Sequence, residues 1–289
     1  MKKEMKNVLS FIMIISIALL SFTACSSANE GTGGEKKPEG TMGVDENIEG
    51  ALEGVELSVG TSGLFGPFSF YGEDGSTLKG YDLDLLNEMQ KLLGFTIAGG
   101  RVEAMDYSAL TTSVAKGKVD LALAALCATD ERKEVMNFSN IYYDSGLIVS
   151  INKETGSKDI TGIDSLKSGD YTVAVEKGTA SHIYAQANIP SGFIEVHDTI
   201  TTAYESLEQG KVDALIQDQP GVAYYIKTKN GTKLKMVGEE FNQGQSPYAI
   251  AVSFDASKKY PGLMDIFNKA LKELSENGKM DELKNKWFE

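Results

Sequence analysis

A segment that occurs twice in the chain constrains its fold more than any other feature. Ser113–Ala122 reads SVAKGKVDLA, and Ser206–Leu215 reads SLEQGKVDAL. Each copy has the residues of a helix end, a glycine that suits the position just after it, and a short apolar strand. An aromatic residue stands near the start of the preceding helix in both copies, Tyr107 and Tyr204. Helix–glycine–strand turns can resemble one another by chance, but the shared Gly-Lys-Val-Asp favours two related α/β units.

The rest of the chain alternates between short apolar strands and helices. Alternation at these lengths predicts βα units around mostly parallel sheets, and the duplication predicts two α/β lobes. We expect lobe one to comprise residues 53–143 and 247–289, and lobe two to comprise residues 144–246. Strands are predicted at Val55–Gly60, Val119–Ala124, Thr172–Val175, Ala214–Ile216 and Tyr248–Ser253, and helices at Asp82–Leu93, Tyr107–Lys116, Thr201–Glu208, Pro220–Lys227, Leu263–Glu276 and Met280–Trp287.

The N-terminal residues are typical of a secretory leader. A cationic stretch precedes an apolar run, Val8 to Leu20, that is too short for a comfortable membrane span. Small residues then lead into Cys25, a pattern similar to a lipobox, in which the cysteine sulfur takes a diacylglyceryl group. We expect residues 1–24 to be a lipoprotein signal peptide and Cys25 to be lipidated, with an ordinary signal peptide cut nearby as the alternative. Residues 25–52 are expected to form a flexible tether.

Composition excludes several classes of function. The only cysteines are Cys25 and Cys127, so the folded body holds one thiol and no internal disulfide. The formal net charge of −13 argues against nucleic acid and anionic lipid as partners, so contact with a membrane is expected through the lipid anchor only. Sequence motifs for a nucleophile elbow, a phosphate loop or a dinucleotide fold are absent, and the two histidines lack metal-ligand spacing. Neither a metal nor another cofactor is predicted.

The segments that follow the two repeated strands carry the residues for a binding site. Ligands of open α/β sheets bind beyond the carboxyl ends of the strands, which here means residues 124–132 and 217–220. One segment brings Arg132 and the other brings Asp218. A guanidinium can take a carboxylate in a bidentate fork and an aspartate can accept from an ammonium, so together they complement a zwitterion. Arg132 as a solvated surface cation is the plain alternative.

Several spaced motifs resemble one known family. Gly80–Leu85 is similar to its motif of glycine, aromatic, acidic and aliphatic residues, and Thr129–Arg132, Phe138-Ser139, Tyr142-Tyr143 and Lys286–Phe288 are similar to other parts of it. The family is the polar-amino-acid family of bacterial extracellular solute-binding proteins, the receptors of ABC importers, and the pattern is nearest to its glutamine-binding branch. The resemblance spans about Glu53 to Glu289.

The resemblance implies an architecture and a function. The fold would be periplasmic-binding-protein-like, with two α/β lobes joined by a two-strand hinge near residues 142–146 and 244–248. The chain would be a monomer outside the cytoplasmic membrane, would close on a free amino acid, and would deliver it to an ABC permease. Two alternatives stay open on the same fold: a cyclohexadienyl or arogenate dehydratase, with Glu176 as general acid, and a receptor for a signalling partner. We predict a binding protein rather than an enzyme.

The resemblance also implies roles for single residues. Arg132 would bind the ligand carboxylate and Asp218 the α-ammonium, and the helix opened by Thr179 and Ala180 would add amide donors. Phe65 and Tyr107 would sandwich the ligand side chain, although both could be plain core residues. The Ala125 carbonyl would accept from the α-amino group. Cys127 stands where the family has a Thr or Ser that donates to the carboxylate, and a small buried core thiol is an equal alternative.

Ligand specificity would depend on Ser62 and Glu176, where the glutamine-binding pattern has Asp and Lys. Glu176 would repel an acidic side chain and favour a cation or a donor, so a neutral polar or basic amino acid is expected. The alternative is that Glu176 pairs with Lys177. Asp82 is expected to cap the helix that it begins, without contact to the ligand, and Thr129 to cap the next.

Overall fold

The computed structural model describes residues 47–245 and 247–289. The strands are β1 (Glu56–Leu57), β2 (Val59–Thr61), β3 (Leu64–Phe65), β4 (Ser69–Tyr71), β5 (Leu78–Lys79), β6 (Thr96–Ile97), β7 (Glu103–Ala104), β8 (Leu121–Ala122), β9 (Met136–Tyr143), β10 (Leu147–Asn152), β11 (Val173–Glu176), β12 (Ile194–His197), β13 (Ala214–Asp218), β14 (Leu234–Phe241) and β15 (Tyr248–Ser253). The helices are α1 (Tyr81–Leu93), α2 (Tyr107–Ala115), α3 (Asp130–Lys133), α4 (Ala180–Asn188), α5 (Ile200–Glu208), α6 (Gln219–Thr228), α7 (Phe254–Lys259), α8 (Leu263–Glu276) and α9 (Lys279–Phe288), with 3₁₀ turns at Ala98–Gly100, Ile163–Leu166 and Ser191–Phe193.

Two five-stranded sheets organise these elements. The strand order is β7-β2-β8-β15-β9 in one sheet and β12-β11-β13-β10-β14 in the other. In each sheet the first three strands are parallel, and the last two run antiparallel to their neighbours. Only β15 in the first sheet and β10 in the second are reversed, since each lies between two antiparallel neighbours. Four of the five strands in each sheet therefore run in one direction, as the expectation of mostly parallel sheets requires. We call the first sheet and its helices lobe one, and the second sheet and its helices lobe two.

The chain passes between the sheets twice. β9 ends in lobe one and β10 begins in lobe two, so residues 144–146 form the first crossover. β14 ends in lobe two and β15 begins in lobe one, so residues 242–247 form the second. Each sheet has apolar clusters on both faces, and one cluster of lobe one includes the buried side chains of Phe68, Tyr81 and Tyr248.

Both copies of the repeat fold as predicted. α2 ends before Gly117, which has a φ of 66°, and β8 follows; α5 ends before Gly210, which has a φ of 67°, and β13 follows. Glycine suits both positions because this left-handed backbone strains residues with a Cβ. Tyr204 lies inside α5 rather than at its start, so the residue that matches Tyr107 in the register of the repeat is Ile200.

The repeated aspartates perform the same task in the two lobes. Asp120 Oδ2 accepts from the Ser58 amide at 2.8 Å and from the Ser58 hydroxyl at 2.9 Å. Asp213 Oδ2 accepts from the amide and the hydroxyl of Thr172, both at 2.8 Å. Each carboxylate therefore ties the start of its own strand to the residue that precedes the neighbouring strand of the sheet.

Two expectations near the first helix are corrected by the structure. Ile48 and Leu52 were expected in the tether, but both are buried in the core of lobe one, and Leu52 donates through its amide to the Leu93 carbonyl at 2.8 Å. Asp82 does not cap α1: Gly80 is the residue before the helix, no side chain bonds there, and Asp82 is fully buried. The signal peptide, Cys25 and most of the tether lie outside the described residues. Among the helices of residues 47–245 and 247–289, none combines the length and apolarity that crossing a membrane requires.

Candidate functional site

A partly open cavity lies between the two sheets, with about 350 Å³ of space not filled by atoms, part of it continuous with solvent. Its walls come from the segments after β2, β8, β11 and β13 and from the starts of α2, α4 and α5. Strand ends and helix starts meet there because parallel strands of a βα fold end at the same edge of the sheet. The lining residues are Ser62, Leu64, Phe65, Tyr107, Ala124, Ala125, Cys127, Glu176, Thr179, Ala180, Ile200, Gln217 and Asp218.

Nine of the ten residues predicted to bind substrate line this cavity, and Arg132 is the exception. Its side chain nevertheless contacts residues of the cavity wall. The guanidinium carbon lies 5.4 Å from the centre of the Tyr107 ring, and Nη1 donates to the Cys127 carbonyl at 2.8 Å. Arg132 is buried, which argues against the alternative of a solvated surface cation.

Arg132 also connects the two lobes. Its Nη2 donates to the carbonyl oxygen of Gly178 at 2.7 Å, immediately before the start of α4. The backbone around Arg132 is fixed by Thr129, whose hydroxyl accepts from the Arg132 amide, as expected for the cap of α3. The two carbonyl oxygens use two of the five N–H donors of a guanidinium, and the side chains of Tyr107 and Cys127 interact with the same group.

Asp218 is the buried carboxylate on the opposite wall. Burial raises its pKa to about 6, while the Tyr248 hydroxyl and the charge of Arg132 act in the opposite direction. Tyr248 is the first residue of β15 in lobe one, so this contact crosses from one lobe to the other. Sequence analysis considered Tyr248 only as a neighbour of the crossover and missed its position beside Asp218.

Glu176 is a second buried carboxylate at the cavity. Burial, together with the nearby charges of Asp218 and Asp106, raises its pKa to about 8 against a hydrogen bond from the Ile200 amide. Lys177 does not pair with Glu176, because its Nζ lies 3.6 Å from a carboxylate oxygen of Asp198 at the surface. Among residues 47–245 and 247–289, no cation lies within ion-pair distance of Glu176.

Two aromatic side chains, Phe65 and Tyr107, form apolar parts of the cavity wall. Phe65 is half-buried and stacks on Phe68 at 5.5 Å between ring centres, so it belongs both to the cavity and to the edge of the core. A Cβ on Gly221 of α6 would lie 2.1 Å from the Phe65 ring, which shows how closely the two lobes approach beside the cavity. Tyr107 opens α2 and presents its ring to Arg132.

The remaining predicted residues line the cavity with small or polar side chains. Ser62 is buried, and its hydroxyl has no hydrogen-bond partner within the described part of the chain. Cys127 is buried and forms a bridge pair with Tyr248. α4 starts at Ala180 as expected, and Thr179 caps it by accepting from the His182 amide at 3.3 Å.

Four lining residues were not predicted: Leu64, Ala124, Ile200 and Gln217. Ile200 could have been found from the repeat, since it matches Tyr107 in register. Gln217 is buried next to Asp218, and its Oε1 has no hydrogen-bond partner among the residues described. Within the same residues, no group of three or more His, Cys, Asp or Glu side chains could hold a metal ion.

Comparisons with known proteins agree with this geometry. The profile of bacterial extracellular solute-binding proteins, family 3, matches residues 57–289. The arginine-binding extracellular protein ArtP of Bacillus subtilis (strain 168) is 28% identical over 282 residues, which cover 96% of this chain and 97% of ArtP.

Two solved structures are similar over most of their length. An ancestral arginine-binding protein bound to glutamine superposes with a TM-score of 0.72 and 32% identity, covering 81% of this chain and 97% of that one. The ancestral amino acid-binding protein AncCDT-1, a precursor of cyclohexadienyl dehydratase, has a TM-score of 0.71 and 28% identity, covering 81% and 96%. These likenesses confirm the periplasmic-binding-protein-like fold. Together with the profile match over most of the chain, they show that it belongs to family 3 of the bacterial extracellular solute-binding proteins.

Proposed function

We propose that this chain captures a free α-amino acid outside the cytoplasmic membrane and delivers it to an ABC permease. The observation that carries the proposal is the placement of two buried charges, one from each lobe: Asp218 lines the cavity, and Arg132 contacts its wall residues Tyr107 and Cys127. Each charge is buried and expensive to leave without a partner, and a zwitterion supplies both partners at once. The ligand carboxylate binds Arg132 and the α-ammonium binds Asp218.

The remaining wall residues of the cavity contact the ligand side chain and determine specificity. Phe65 and Tyr107 contact its methylene groups, and Ser62 and Glu176 contact its tip. Arg132 and Asp218 balance the two charges of the zwitterion. When Glu176 is ionised, its negative charge therefore has no counter-charge in the site. A cationic side chain supplies the missing charge, and a neutral amide supplies donors to the protonated acid. Arginine-like ligands are therefore favoured, followed by neutral polar ones.

Capture proceeds by closure of the two lobes about the crossovers at residues 144–146 and 242–247. Closure brings Gly178, at the start of α4, to Arg132 and α6 to Phe65. The chain acts as a monomer and is held to the outer face of the membrane by a diacylglyceryl group on Cys25. The tether lets the folded lobes stand away from the membrane surface. The permease recognises the closed form.

A thermal-shift screen of the purified protein against the common amino acids tests the proposal. A ligand at about 100 times its dissociation constant stabilises the folded state by about 2.7 kcal/mol, which raises the melting temperature measurably. We expect L-arginine or a neutral polar amino acid to raise it and L-glutamate to have no effect. No response to any amino acid would overturn the proposed function.

One observation favours a second function. Glu176 is a buried acid that stays protonated near neutral pH, and AncCDT-1 is the precursor of an enzyme on the same fold. Such a group can act as a general acid in a dehydratase. The screen therefore includes prephenate and arogenate with an assay for turnover. Turnover that is lost in Glu176→Gln would establish the enzyme, whereas binding of an amino acid without turnover supports the receptor.

A further inference from the structure

Asp82 is a fully buried carboxylate that lines no part of the cavity. Burial raises its pKa to about 7, and within the described residues it makes no ion pair. A carboxylate at the start of a helix usually faces solvent and caps the helix, so its burial requires another reason.

The backbone at the start of α1 turns Asp82 inward. Gly80 has a φ of 135°, and a Cβ there would lie 2.1 Å from the Phe68 carbonyl oxygen, so only glycine fits. The Asp82 amide donates to the same carbonyl at 2.9 Å, which fixes the first turn of the helix against the segment before β4. The side chain of Asp82 consequently enters the core of lobe one.

The carboxylate reaches a strained residue of the cavity wall. Asp82 Oδ2 accepts from the Ala125 amide at 2.8 Å. Ala125 has a φ of 49°, and the only other described residue besides glycine with a positive φ is Asn242. Alanine rarely adopts this left-handed backbone because its Cβ crowds the following carbonyl. The hydrogen bond from the Ala125 amide to the Asp82 oxygen satisfies a buried donor in this conformation, so it offsets the strain.

The turn at Ala125 decides where the wall presents its carbonyl oxygens. The chain leaves β8 at Ala122, lines the cavity with Ala124 and Ala125, and continues to Cys127, whose carbonyl accepts from Arg132. An extended backbone at Ala125 would rotate these carbonyls away from their present positions. Tyr142 is buried near the same carboxylate just before the first crossover, but within the described residues neither its hydroxyl nor Asp82 Oδ1 has a hydrogen-bond partner.

We propose that Asp82 is a positioning residue for ligand recognition: it holds Ala125 in the left-handed conformation so that the Ala125 carbonyl accepts from the ligand ammonium opposite Asp218. This inference rests on the proposed function. Asp82 touches no ligand atom itself, and it acts through the backbone of Ala125.

Two variants separate this role from simple support of the fold. Asp82→Ala removes the acceptor, and we expect affinity for L-arginine and L-glutamine to fall by about tenfold or more, because the strained turn relaxes. Affinity for the analogues that lack the α-amino group should stay unchanged, since they do not use the carbonyl. Asp82→Asn keeps an acceptor and should retain most of the affinity. Ala125→Gly introduced into Asp82→Ala should restore part of it, because glycine adopts a positive φ without strain.

A measurement without ligand keeps the two proposals apart. Hydrogen exchange of the Ala125 amide should become about tenfold faster or more in Asp82→Ala, while exchange in β11 and β13 stays the same. Unchanged exchange at Ala125 in the folded variant would refute the positioning role whatever the ligand is. An equal loss of affinity for amino acids and deaminated analogues would refute it as well. Failure of the wild type to bind any amino acid would instead refute the proposed function.

Discussion

The two lobes use the same supersecondary unit to present opposite chemistry. In lobe one the repeated strand β8 leads to small residues, carbonyl oxygens and a buried guanidinium, Arg132. In lobe two the repeated strand β13 leads directly to the side chains of Gln217 and Asp218. Asp120 and Asp213 make the same bonds in both lobes. The repeated part thus builds the scaffold, and under the proposed function the residues at and after the end of each repeated strand decide which half of a zwitterion the lobe receives.

The largest change in affinity is expected when the charge that one lobe contributes is removed, in two separate variants. Arg132→Ala and Asp218→Asn should each weaken amino-acid binding by about 2–5 kcal/mol, because each leaves an oppositely charged ligand group without its buried partner. Isothermal titration calorimetry measures the loss. Arg132→Ala should also bind agmatine, which lacks the carboxylate, as well as it binds L-arginine.

Exposed neighbours provide the controls for these charge variants. Lys133→Ala and Asp198→Asn alter surface ion pairs with Asp130 and Lys177, and affinity should not change. Wild-type affinity in Arg132→Ala would show that lobe one does not bind the carboxylate through this residue, and the division of charges between the lobes would fail.

The second test asks whether the repeated aspartates are equivalent. Asp120→Ala and Asp213→Ala each leave a backbone amide without its acceptor, so each should lower the free energy of unfolding by about 1–3 kcal/mol. Urea denaturation measures both, with Asp159→Ala at an exposed position as the control. A loss confined to one lobe would contradict the equivalence.

The third test concerns the contact between the lobes. Gly221→Ala adds a methyl group that collides with the Phe65 ring on closure, and we expect affinity to fall by about tenfold. Alanine is the better helix former in α6, so thermal stability without ligand should be equal or higher. Gly192→Ala, where the new Cβ meets nothing within 4 Å, should leave affinity unchanged. Unchanged affinity in Gly221→Ala would mean that capture does not require this close approach.

The fourth test distinguishes the two buried carboxylates of lobe two by the pH dependence of binding. Glu176 has a pKa raised to about 8, so it is mostly protonated below that pH and must lose a proton to bind a cationic side chain. Affinity for L-arginine should therefore rise by up to tenfold per pH unit between about pH 6.5 and 8 and then level off. Asp218 has a pKa raised to about 6, so its protonation below that pH should weaken the binding of every amino acid. Glu176→Gln should remove the upper dependence and keep the lower one; an identical profile in this variant would sink the assignment.

Much of the site could be predicted from the sequence because βα geometry fixes where strands end. That rule singled out Asp218, and the family resemblance added Ala125 and Glu176; all three line one cavity. The alternative pairing of Glu176 with Lys177 fails because Glu176 ends β11 with a buried side chain, whereas the exposed Lys177 pairs with Asp198. The burial of Ile48 and Leu52 could not be predicted, because two apolar residues in a polar segment do not define the hydrophobic periodicity of a helix or a strand.

The role of Asp82 could not be predicted either. A carboxylate in a first helical turn fits a cap as well as a buried acceptor, and the choice depends on the backbone that enters the helix at Gly80. Likewise, the contact of Tyr248 with Asp218 joins residues from different lobes, and no local pattern signals it. Local periodicity therefore predicted the elements, while contacts set by the packing of one element on another required the structure.

The position of β15 in the first sheet has a consequence for how the chain folds. β15 lies between β8 and β9, although nearly the whole of lobe two separates it from β9 in sequence. During synthesis, all strands of lobe two emerge before the central strand that completes lobe one. Lobe two can therefore fold while β8 and β9 still lack the partner between them, and lobe one closes last around a strand inserted from the C-terminal side. A nascent chain that stops before residue 248 exposes two unpaired strand edges, which are sites for aggregation and for recognition by chaperones.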